Sequence, residues 1–223
     1  PEVVRYVIGS IGPGTKLPSL GQIDFDVLSA SYHEQIIGLL KGGVDALLIE
    51  TVFDLLQAKA AIIAAHDAMT NEGNRVPILV SVTIETTGKM LIGSEIGAAL
   101  TALSPLGIDS LGVNCATGPD HMHDHLRYLQ QNSPLPILCQ PNAGLPRLED
   151  GEAVYDLTPD KMLDSYRIFV QEYGASIIGG CCGTTPSHME AVVRELGNSV
   201  PARRNPHMDD GVASLYVSMP YKQ

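Results

Sequence analysis

Six short apolar runs, rich in Val, Ile and Leu, dominate the pattern of hydrophobic and polar positions along the chain. Their polarity does not alternate from residue to residue, which is typical of strands buried on both faces of a parallel sheet. We therefore predict strands at residues 5–11, 45–49, 77–83, 109–113, 136–139 and 175–178.

Amphipathic stretches lie between these runs, with apolar residues that recur near the 3.6-residue period of a helix. They predict helices at residues 24–40, 55–69, 94–103, 120–130, 159–173 and 186–196. Asp24, Thr158 and Thr185 stand at the expected N-cap positions. Gly42 and Gly43 follow the first helix, where they can end it.

The strict alternation of strand and helix predicts an α/β fold with a parallel sheet. Two closures fit this pattern, an open doubly wound sheet and a (β/α)8 TIM barrel. No G-x-G-x-x-G motif follows the first strand, which weakens the dinucleotide-binding version of the open sheet. The residues that carry chemistry follow the strands, as they do on the active face of a barrel. Six units are two fewer than a barrel needs, so we expect the first two units to be missing from this chain.

The pattern stops after residue 197, which divides the chain into two parts. We expect a partial barrel domain at residues 1–197. Residues 198–223 contain Pro201, Pro206 and Pro220 and no periodicity, and they predict a linker or an extended tail.

Composition narrows the range of functions. The 223 residues carry a formal net charge of -11, which argues against generic binding to nucleic acid. No apolar run approaches the roughly 20 residues of a membrane span, and no secretory signal is recognisable at the N-terminus. We therefore expect a cytoplasmic protein with no nucleic-acid or membrane partner.

Three of the four cysteines follow predicted strands. Cys115 follows the fourth strand, and Cys181 and Cys182 follow the sixth. The carboxyl ends of parallel strands lie on one face, so these thiols can meet there. Three thiolates with one open position are typical of a catalytic zinc site, since structural zinc has four protein ligands. The spacing alone leaves open that the three are small buried hydrophobes, and we predict that role for Cys139.

Four motifs resemble the homocysteine S-methyltransferase family: I-I-G-G-C-C-G-T-T-P-x-H, V-N-C-A-T-G-P, Q-P-N-A-G-L-P and L-L-I-E-T-V-F-D. The likeness covers about residues 5–197. Within the family it is strongest to the homocysteine-binding domain of cobalamin-dependent methionine synthases. The run P-N-A-G-L-P with the acidic residues Glu149, Asp150 and Glu152 after it supports that branch. So does the tail, where S-L-Y-V-S-M-P is similar to the linker into a folate-binding domain.

The resemblance implies a (β/α)8 barrel in which Cys115, Cys181 and Cys182 bind zinc. It implies that the homocysteine sulfur takes the fourth position, which Asn142 can occupy without substrate. It places an acidic group for the substrate ammonium at Glu50 or Asp54. Methylcobalamin on another module would donate the methyl group. Methyltetrahydrofolate on a further module would supply the cobalamin with that methyl group. The family's first two strands, with a D-G-A-M/G-T segment that reaches the substrate pocket, have no counterpart in this chain.

Other polar residues near the motifs have two interpretations each. Asn114 either hydrogen-bonds a thiolate and substrate or braces a loop. The backbone amides of Thr184 and Thr185 either hold the substrate carboxylate or, at Thr185, only cap a helix. Three histidines share the start of one helix, where a solvated helix face is favoured over a second metal site: His121, His123 and His125. His188, in the first turn of the last helix, is interpreted as structural.

Three alternative functions remain open beside this one. A homocysteine methyltransferase that uses betaine or S-methylmethionine is one. A non-catalytic zinc-binding fragment is another, since part of the pocket is expected to be missing. The third is a redox enzyme using Cys181 and Cys182, but the two are adjacent and lack the C-x-x-C spacing.

Overall fold

The computed structural model describes residues 4–221. Its strands are β1 (Ile8–Ile11), β2 (Ala46–Val52), β3 (Ile78–Val82), β4 (Ser110–Asn114), β5 (Ile137–Gln140), β6 (Arg147–Glu149), β7 (Glu152–Val154), β8 (Ala175–Ile178), β9 (Gly211–Ala213) and β10 (Ser218–Pro220). Its α-helices are α1 (Phe25–Lys41), α2 (Leu55–Glu72), α3 (Ile96–Leu103), α4 (His123–Asn132), α5 (Pro159–Gln171) and α6 (Pro186–Leu196). Short 3-10 helices occur at Pro18–Leu20, Ser104–Leu106 and Pro119–His121.

All six predicted strands and all six predicted helices are present, with ends that differ by a few residues. The helix predicted at residues 120–130 is split into a 3-10 turn, Pro119–His121, and the α-helix α4. Within residues 4–221, no helix is both long enough and apolar enough to cross a membrane.

The order of the strands distinguishes between the two predicted closures. β1, β2, β3, β4, β5 and β8 lie side by side in chain order, and each adjacent pair is parallel. A doubly wound sheet reverses its order at a switch point, whereas strands that follow the chain without reversal are wound as in a (β/α)8 barrel. The structure therefore confirms an α/β fold with six barrel-type units. In the part of the chain described, β1 and β8 each pair with a single parallel neighbour, so the sheet is open there.

The two faces of the sheet bury separate apolar clusters. The large cluster lies between the sheet and the helices. The small cluster lies on the opposite face, which would be the barrel interior, and consists of Ala46, Leu48, Leu79 and Leu138 with Ile177 packed against them. Every residue of β3 and β4 is buried, which explains why these strands read as continuous apolar runs.

The predicted helix caps are partly confirmed. The Thr158 hydroxyl accepts a hydrogen bond from the Lys161 amide at 3.4 Å, as an N-cap does. Asp24 stands at the N-cap of α1, but its side chain makes no capping hydrogen bond, so that detail was wrong. Gly43 ends α1 with a φ of 80°, a conformation that glycine adopts without strain.

The tail after residue 197 folds back on the domain instead of extending away from it. β9 and β10 pair as an antiparallel hairpin, and the Glu95 amide at the start of α3 donates to the Tyr216 carbonyl at 2.8 Å. Arg204 donates to the carbonyls of Ser133 and Leu135 at 2.9 and 2.7 Å. The expectation of a linker missed this hairpin, because its contacts join residues far apart in sequence and leave no local periodicity.

Candidate metal centre

The thiols of Cys115, Cys181 and Cys182 lie together where β4 and β8 end. The Cys182 sulfur is 3.8 Å from the Cys115 sulfur and 3.9 Å from the Cys181 sulfur. All three sulfurs lie within 4.8 Å of one another. Cys115 and Cys181 are half-buried and Cys182 is exposed, so the cluster opens to solvent on one side.

Backbone hydrogen bonds between the loops after β4, β5 and β8 hold the three cysteines close together. The Cys115 amide donates to the Gln140 carbonyl at 3.1 Å, and the Cys181 amide donates to the Pro141 carbonyl at 2.9 Å. The Ala143 amide donates to the Cys182 carbonyl at 2.9 Å. The loop after β5 thus joins the loops on either side of it, although it contributes no cysteine itself.

Two backbone features shape the turn at Cys115. Cys115 has a φ of 60° and Ala116 a φ of 54°, both in the left-handed region that few non-glycine residues occupy. Further along this loop, a Cβ on Gly118 would lie 2.7 Å from the Cα of Gly144. The glycines of V-N-C-A-T-G-P and P-N-A-G therefore let the two loops touch, which brings Asn142 beside the cysteines.

The pKa values of Cys115 and Cys181 are shifted in opposite directions. A hydrogen bond from Cys181, the largest cause, helps to lower the pKa of Cys115 to about 6, and burial opposes this shift. The same hydrogen bond, together with burial and the charge of Cys115, raises the pKa of Cys181. One thiolate stabilised by a neighbouring thiol is the arrangement expected of a group that gives up protons to a bound cation.

The spacing of the sulfurs fits a tetrahedral metal ion. A metal–sulfur distance of about 2.3 Å and tetrahedral angles place neighbouring sulfurs about 3.8 Å apart, close to the observed 3.8 and 3.9 Å. Thiolates are soft ligands and favour zinc over magnesium or calcium. Within residues 4–221 the group contains no His, Asp or Glu, so a fourth position is left open to another ligand.

Cys139, predicted to be a core residue, provides the contrast. It is 0% exposed, and its thiol contacts the Met122 sulfur at 3.7 Å. Burial raises the pKa of Cys139, so its thiol stays protonated. The prediction of core packing for this cysteine is confirmed.

Asn142 lies next to the sulfurs and is 3% exposed. Its side-chain oxygen accepts a hydrogen bond from the Cys182 amide at 3.1 Å. A hydrogen bond from Asn142 also contributes to the lowered pKa of Cys115. The Asn142 amide group thus touches both sides of the cysteine cluster.

Comparison with known proteins assigns this fold and cluster to a family. Residues 2–196 match the model of the family described as homocysteine S-methyltransferase. The chain belongs to the homocysteine S-methyltransferase family. The fold and family predictions made from the four motifs are thereby confirmed.

Two mycobacterial proteins named methionine synthase are similar over the whole chain. The identity is 48% over 223 residues for the Mycobacterium tuberculosis protein and 49% over 228 residues for the Mycobacterium leprae protein. Both alignments cover 100% of this chain and 19% of the relative, so the chain spans only that share of their length.

Solved structures of the Escherichia coli homocysteine methyltransferase MmuM share the fold. The apo form has a TM-score of 0.63 at 23% identity and covers 85% of this chain and 62% of its own. The metallated form has a TM-score of 0.62 at 23% identity and covers 84% and 60% respectively. At this identity the likeness concerns the fold of the family domain.

The surroundings of Asp54 and Glu50 differ, although the sequence left both as candidates for binding the substrate ammonium. Asp54 is fully buried and accepts hydrogen bonds from the Ser19 amide at 2.8 Å, the Ser19 hydroxyl at 2.7 Å and the Leu56 amide at 2.8 Å. Glu50 is half-buried at the end of β2, and one of its oxygens accepts a hydrogen bond from the Ser10 hydroxyl at 2.5 Å. Asp54 therefore caps α2, while Glu50 keeps acceptor capacity for a ligand.

Asn114 braces a loop under the site. Its side-chain oxygen accepts from the Thr51 amide at 2.9 Å and the Ser81 hydroxyl at 2.8 Å, and its NH2 donates to the Thr51 hydroxyl at 2.8 Å. Thr51 has a φ of 60°, so these hydrogen bonds offset a strained backbone. Of the two interpretations of Asn114, these hydrogen bonds support the brace, and substrate binding by Asn114 stays a prediction.

The amides after the cysteine pair are already engaged. The Thr184 amide donates to the Cys181 carbonyl at 3.1 Å, and the Thr185 amide donates to the His188 Nδ1 at 3.2 Å. His188 also hydrogen-bonds the Leu157 carbonyl through Nε2 at 2.7 Å, as expected of a structural residue. The geometry thus favours capping by Thr185 over an amide site for the substrate carboxylate. The Thr184 hydroxyl is buried without a partner among the described residues.

The histidines at the start of α4 do not form a second metal centre in the described part of the chain. The cysteine cluster is the sole group of three metal-binding side chains there. His123 stacks edge-on against Phe169 and Tyr173, and its Nδ1 hydrogen-bonds the Tyr173 hydroxyl at 3.1 Å. Burial lowers the pKa of His125. His123 thus packs against the domain, whereas His121 is exposed.

Sequence analysis missed three side chains near the site: Ser10, Gln140 and Tyr155. Ser10 hydrogen-bonds Glu50, and the Gln140 side-chain oxygen is buried without a partner among the described residues. The Tyr155 ring lies against Gly183, beside Cys182. The signals for Gln140 and Ser10 were their places in Q-P-N-A-G-L-P and in G-S-I-G-P at Gly9–Pro13, a run that resembles the family's third barrel strand. Tyr155 comes from a distant segment with no motif of its own.

Proposed function

We propose that this domain binds zinc through Cys115, Cys181 and Cys182 and transfers a methyl group to the thiol of homocysteine, giving methionine. The observation that carries the proposal is a cluster of three thiols with an open side, in a chain of the homocysteine S-methyltransferase family. The Cys182 sulfur lies at a tetrahedral-site distance from each of the other two sulfurs. Bound zinc would supply the charge that lets a substrate thiol lose its proton near neutral pH.

The residues around the cluster would bind and orient the substrate. Asn142 touches both Cys115 and Cys182, so its side chain is the candidate for the fourth position when no substrate is present. Glu50 lies two residues after Leu48, so strand alternation places it on the face of β2 that would line the barrel interior. There it would accept hydrogen bonds from the homocysteine ammonium. The buried Thr184 hydroxyl, which has no partner among the described residues, is a candidate donor to the substrate. Holding the thiol and the ammonium at two separated points would align the sulfur with the incoming methyl group.

We propose methylcobalamin as the methyl donor and methyltetrahydrofolate as the source of its methyl group. The support is the 48–49% identity to two proteins named methionine synthase, of which this chain spans 19%. The remaining length of those relatives has room for cobalamin- and folate-binding modules, which would be partners on the same or another chain. The four free cysteines suit a reducing compartment, so we propose a cytoplasmic location.

Zinc analysis with homocysteine calorimetry tests the proposal. We expect close to one zinc ion per wild-type chain and measurable homocysteine binding, because the three thiols form an open site. Cys182→Ser removes a thiolate ligand and is expected to lose most of the zinc and the binding.

Cys139→Ala is the matched control, since it removes a cysteine that lies in the core. It is expected to keep its zinc. Full zinc occupancy in Cys182→Ser would refute the ligand assignment. Zinc without any homocysteine affinity would favour the non-catalytic fragment.

A further inference from the structure

We propose that Tyr166 is a positioning residue of the metal centre. Its hydroxyl supplies a hydrogen bond that Pro141 cannot give, at the strand end that leads into Cys181 and Cys182. This inference deepens the proposed function, since it rests on the cysteine cluster being a metal site. Tyr166 lies in α5, outside the four motifs that resemble the family.

The hydrogen bonds between β5 and β8 continue past the ends of both strands. The Gly179 amide donates to the Cys139 carbonyl at 3.1 Å, and the Cys181 amide donates to the Pro141 carbonyl at 2.9 Å. In a parallel ladder, a residue that donates to one position of its neighbour accepts from the position two residues further on. The register therefore places the Gly179 carbonyl opposite the backbone nitrogen of residue 141.

Residue 141 is a proline, which has no backbone N–H to donate. The ladder by itself would leave the Gly179 carbonyl without a donor, and an unpaired carbonyl away from water is costly. The Tyr166 hydroxyl donates a hydrogen bond to the Gly179 carbonyl. A side chain from α5 thus replaces the missing backbone donor between the two strands.

Packing holds the Tyr166 ring in place. Tyr166 is 0% exposed and belongs to the large apolar cluster between the sheet and the helices. Its ring lies edge-on to the ring of Phe169, with the two centroids 5.8 Å apart. Because the ring is enclosed, its hydroxyl can restrain the carbonyl that it contacts.

The restraint on Gly179 acts close to the cysteines. Gly179 lies two residues before Cys181, and a Cβ on the intervening Gly180 would overlap the side chain of Thr184. The segment that joins β8 to the cysteine pair is therefore tightly packed, and a shift of Gly179 would move the sulfurs that follow it. Residues that support metal ligands change metal affinity or activity by about 10–100-fold when they are removed.

Zinc titration and cobalt(II) spectra of the whole chain test this role. Tyr166→Phe keeps the ring and removes only the hydroxyl. We expect the zinc affinity to fall by about 10-fold and the cobalt(II) d–d bands, which report the geometry of the site, to shift.

Tyr32→Phe is the matched control. Tyr32 is buried on α1, and its hydroxyl also donates to a loop carbonyl, that of Pro13, at 3.2 Å. Both variants should unfold at lower urea concentration than wild type, because each loses a buried hydrogen bond. Tyr32→Phe should keep the zinc affinity and the cobalt(II) bands of wild type.

Pro141→Ala separates the hydrogen bond from the packing of the ring, since it restores a backbone N–H opposite the Gly179 carbonyl. In that background we expect Tyr166→Phe to leave the zinc affinity unchanged. A loss as large as in the chain with Pro141 would show that the hydroxyl does not replace a backbone donor. This comparison also holds if Tyr166→Phe alone does not fold.

The outcomes separate this proposal from the one it rests on. Unchanged zinc affinity and cobalt(II) bands in Tyr166→Phe overturn the role of Tyr166 and leave the metal centre standing. An equal loss of zinc affinity in Tyr32→Phe also overturns it, because lower stability would then account for both. A wild-type chain that binds neither zinc nor cobalt overturns the proposed metal centre, and this inference with it.

Discussion

Glu50 and Asp54 lie four positions apart in one motif, yet their surroundings give them different roles. Asp54 is enclosed by Ser19 and the first turn of α2, and its oxygens are occupied by amide and hydroxyl donors. Glu50 is half-buried and has the Ser10 hydroxyl as its hydrogen-bond partner. The sequence could not separate the two, because both are acidic and both follow the same strand.

A pair of isosteric substitutions distinguishes the two carboxylates. Glu50→Gln removes the charge that would bind the substrate ammonium, and we expect homocysteine affinity to fall by about 10-fold or more, since a charge-assisted hydrogen bond contributes about 1.5–3 kcal/mol. Asp54→Asn still caps α2 through its oxygen but turns an NH2 towards a donor of Ser19 or Leu56. We expect it to lower the free energy of unfolding by about 1–3 kcal/mol with little loss of affinity per folded protein.

Calorimetry with homocysteine and urea unfolding measure the two effects. The Ser10→Ala variant, which removes the hydrogen-bond partner of Glu50, serves as an intermediate case. If Asp54→Asn weakens homocysteine binding and Glu50→Gln does not, the assignment is reversed.

At the scale of elements, the start of α6 connects helix capping to the metal centre. Thr185 is the N-cap, and His188 accepts from the Thr185 amide through Nδ1 while its Nε2 hydrogen-bonds the Leu157 carbonyl. His188 thus ties the helix that follows the cysteine pair to the segment that carries Tyr155. The sequence predicted the cap and a structural histidine, but the Leu157 contact depends on a loop that it could not place.

Substitution of His188 is expected to affect both stability and metal binding. His188→Ala removes hydrogen bonds at a helix start, which costs about 1–2 kcal/mol in the free energy of unfolding. It also removes the hydrogen bond that holds the Leu157 carbonyl. The Leu157 amide donates to the Ala143 carbonyl, and the Ala143 amide donates to the Cys182 carbonyl. We therefore expect zinc affinity to fall as well. Thr158→Ala removes the cap of α5, and it should lower stability by about 1 kcal/mol and leave zinc affinity unchanged.

Urea unfolding and competitive zinc titration on both variants check this prediction. Equal zinc affinity in His188→Ala and Thr158→Ala would show that the two caps act alike and that the link through Leu157 has no effect on the metal centre.

At the scale of the whole molecule, the tail after α6 is part of the folded domain. Arg204 enters from residues 198–221 and donates to two carbonyls between α4 and β5, which fixes the tail across the amino-terminal side of the sheet. Burial lowers the pKa of Arg204. Its hydrogen bonds therefore offset the cost of removing a charge from water.

Release of the tail is the expected result of Arg204→Ala. Loss of two charge-assisted hydrogen bonds is expected to cost about 1.5–3 kcal/mol and to raise amide hydrogen exchange in β9 and β10. Arg203→Ala is the matched control, since Arg203 is adjacent and exposed. If amide hydrogen exchange in β9 and β10 is the same in Arg204→Ala as in Arg203→Ala, other contacts hold the tail.

The sequence by itself determined the alternation of strands and helices, the parallel sheet and the placement of Cys115, Cys181 and Cys182 after strands. These follow from local periodicity, capping and the rule that parallel strands end on one face, so neighbouring residues carry the information. Only the tertiary structure decided that Glu50 has one hydrogen-bond donor and Asp54 three, that the Asn114 side chain bonds Thr51 and Ser81, and that the Tyr155 ring lies against Gly183. Those roles depend on loops that bring distant segments together and on left-handed turns at Thr51 and Cys115, and neither leaves a periodic signal.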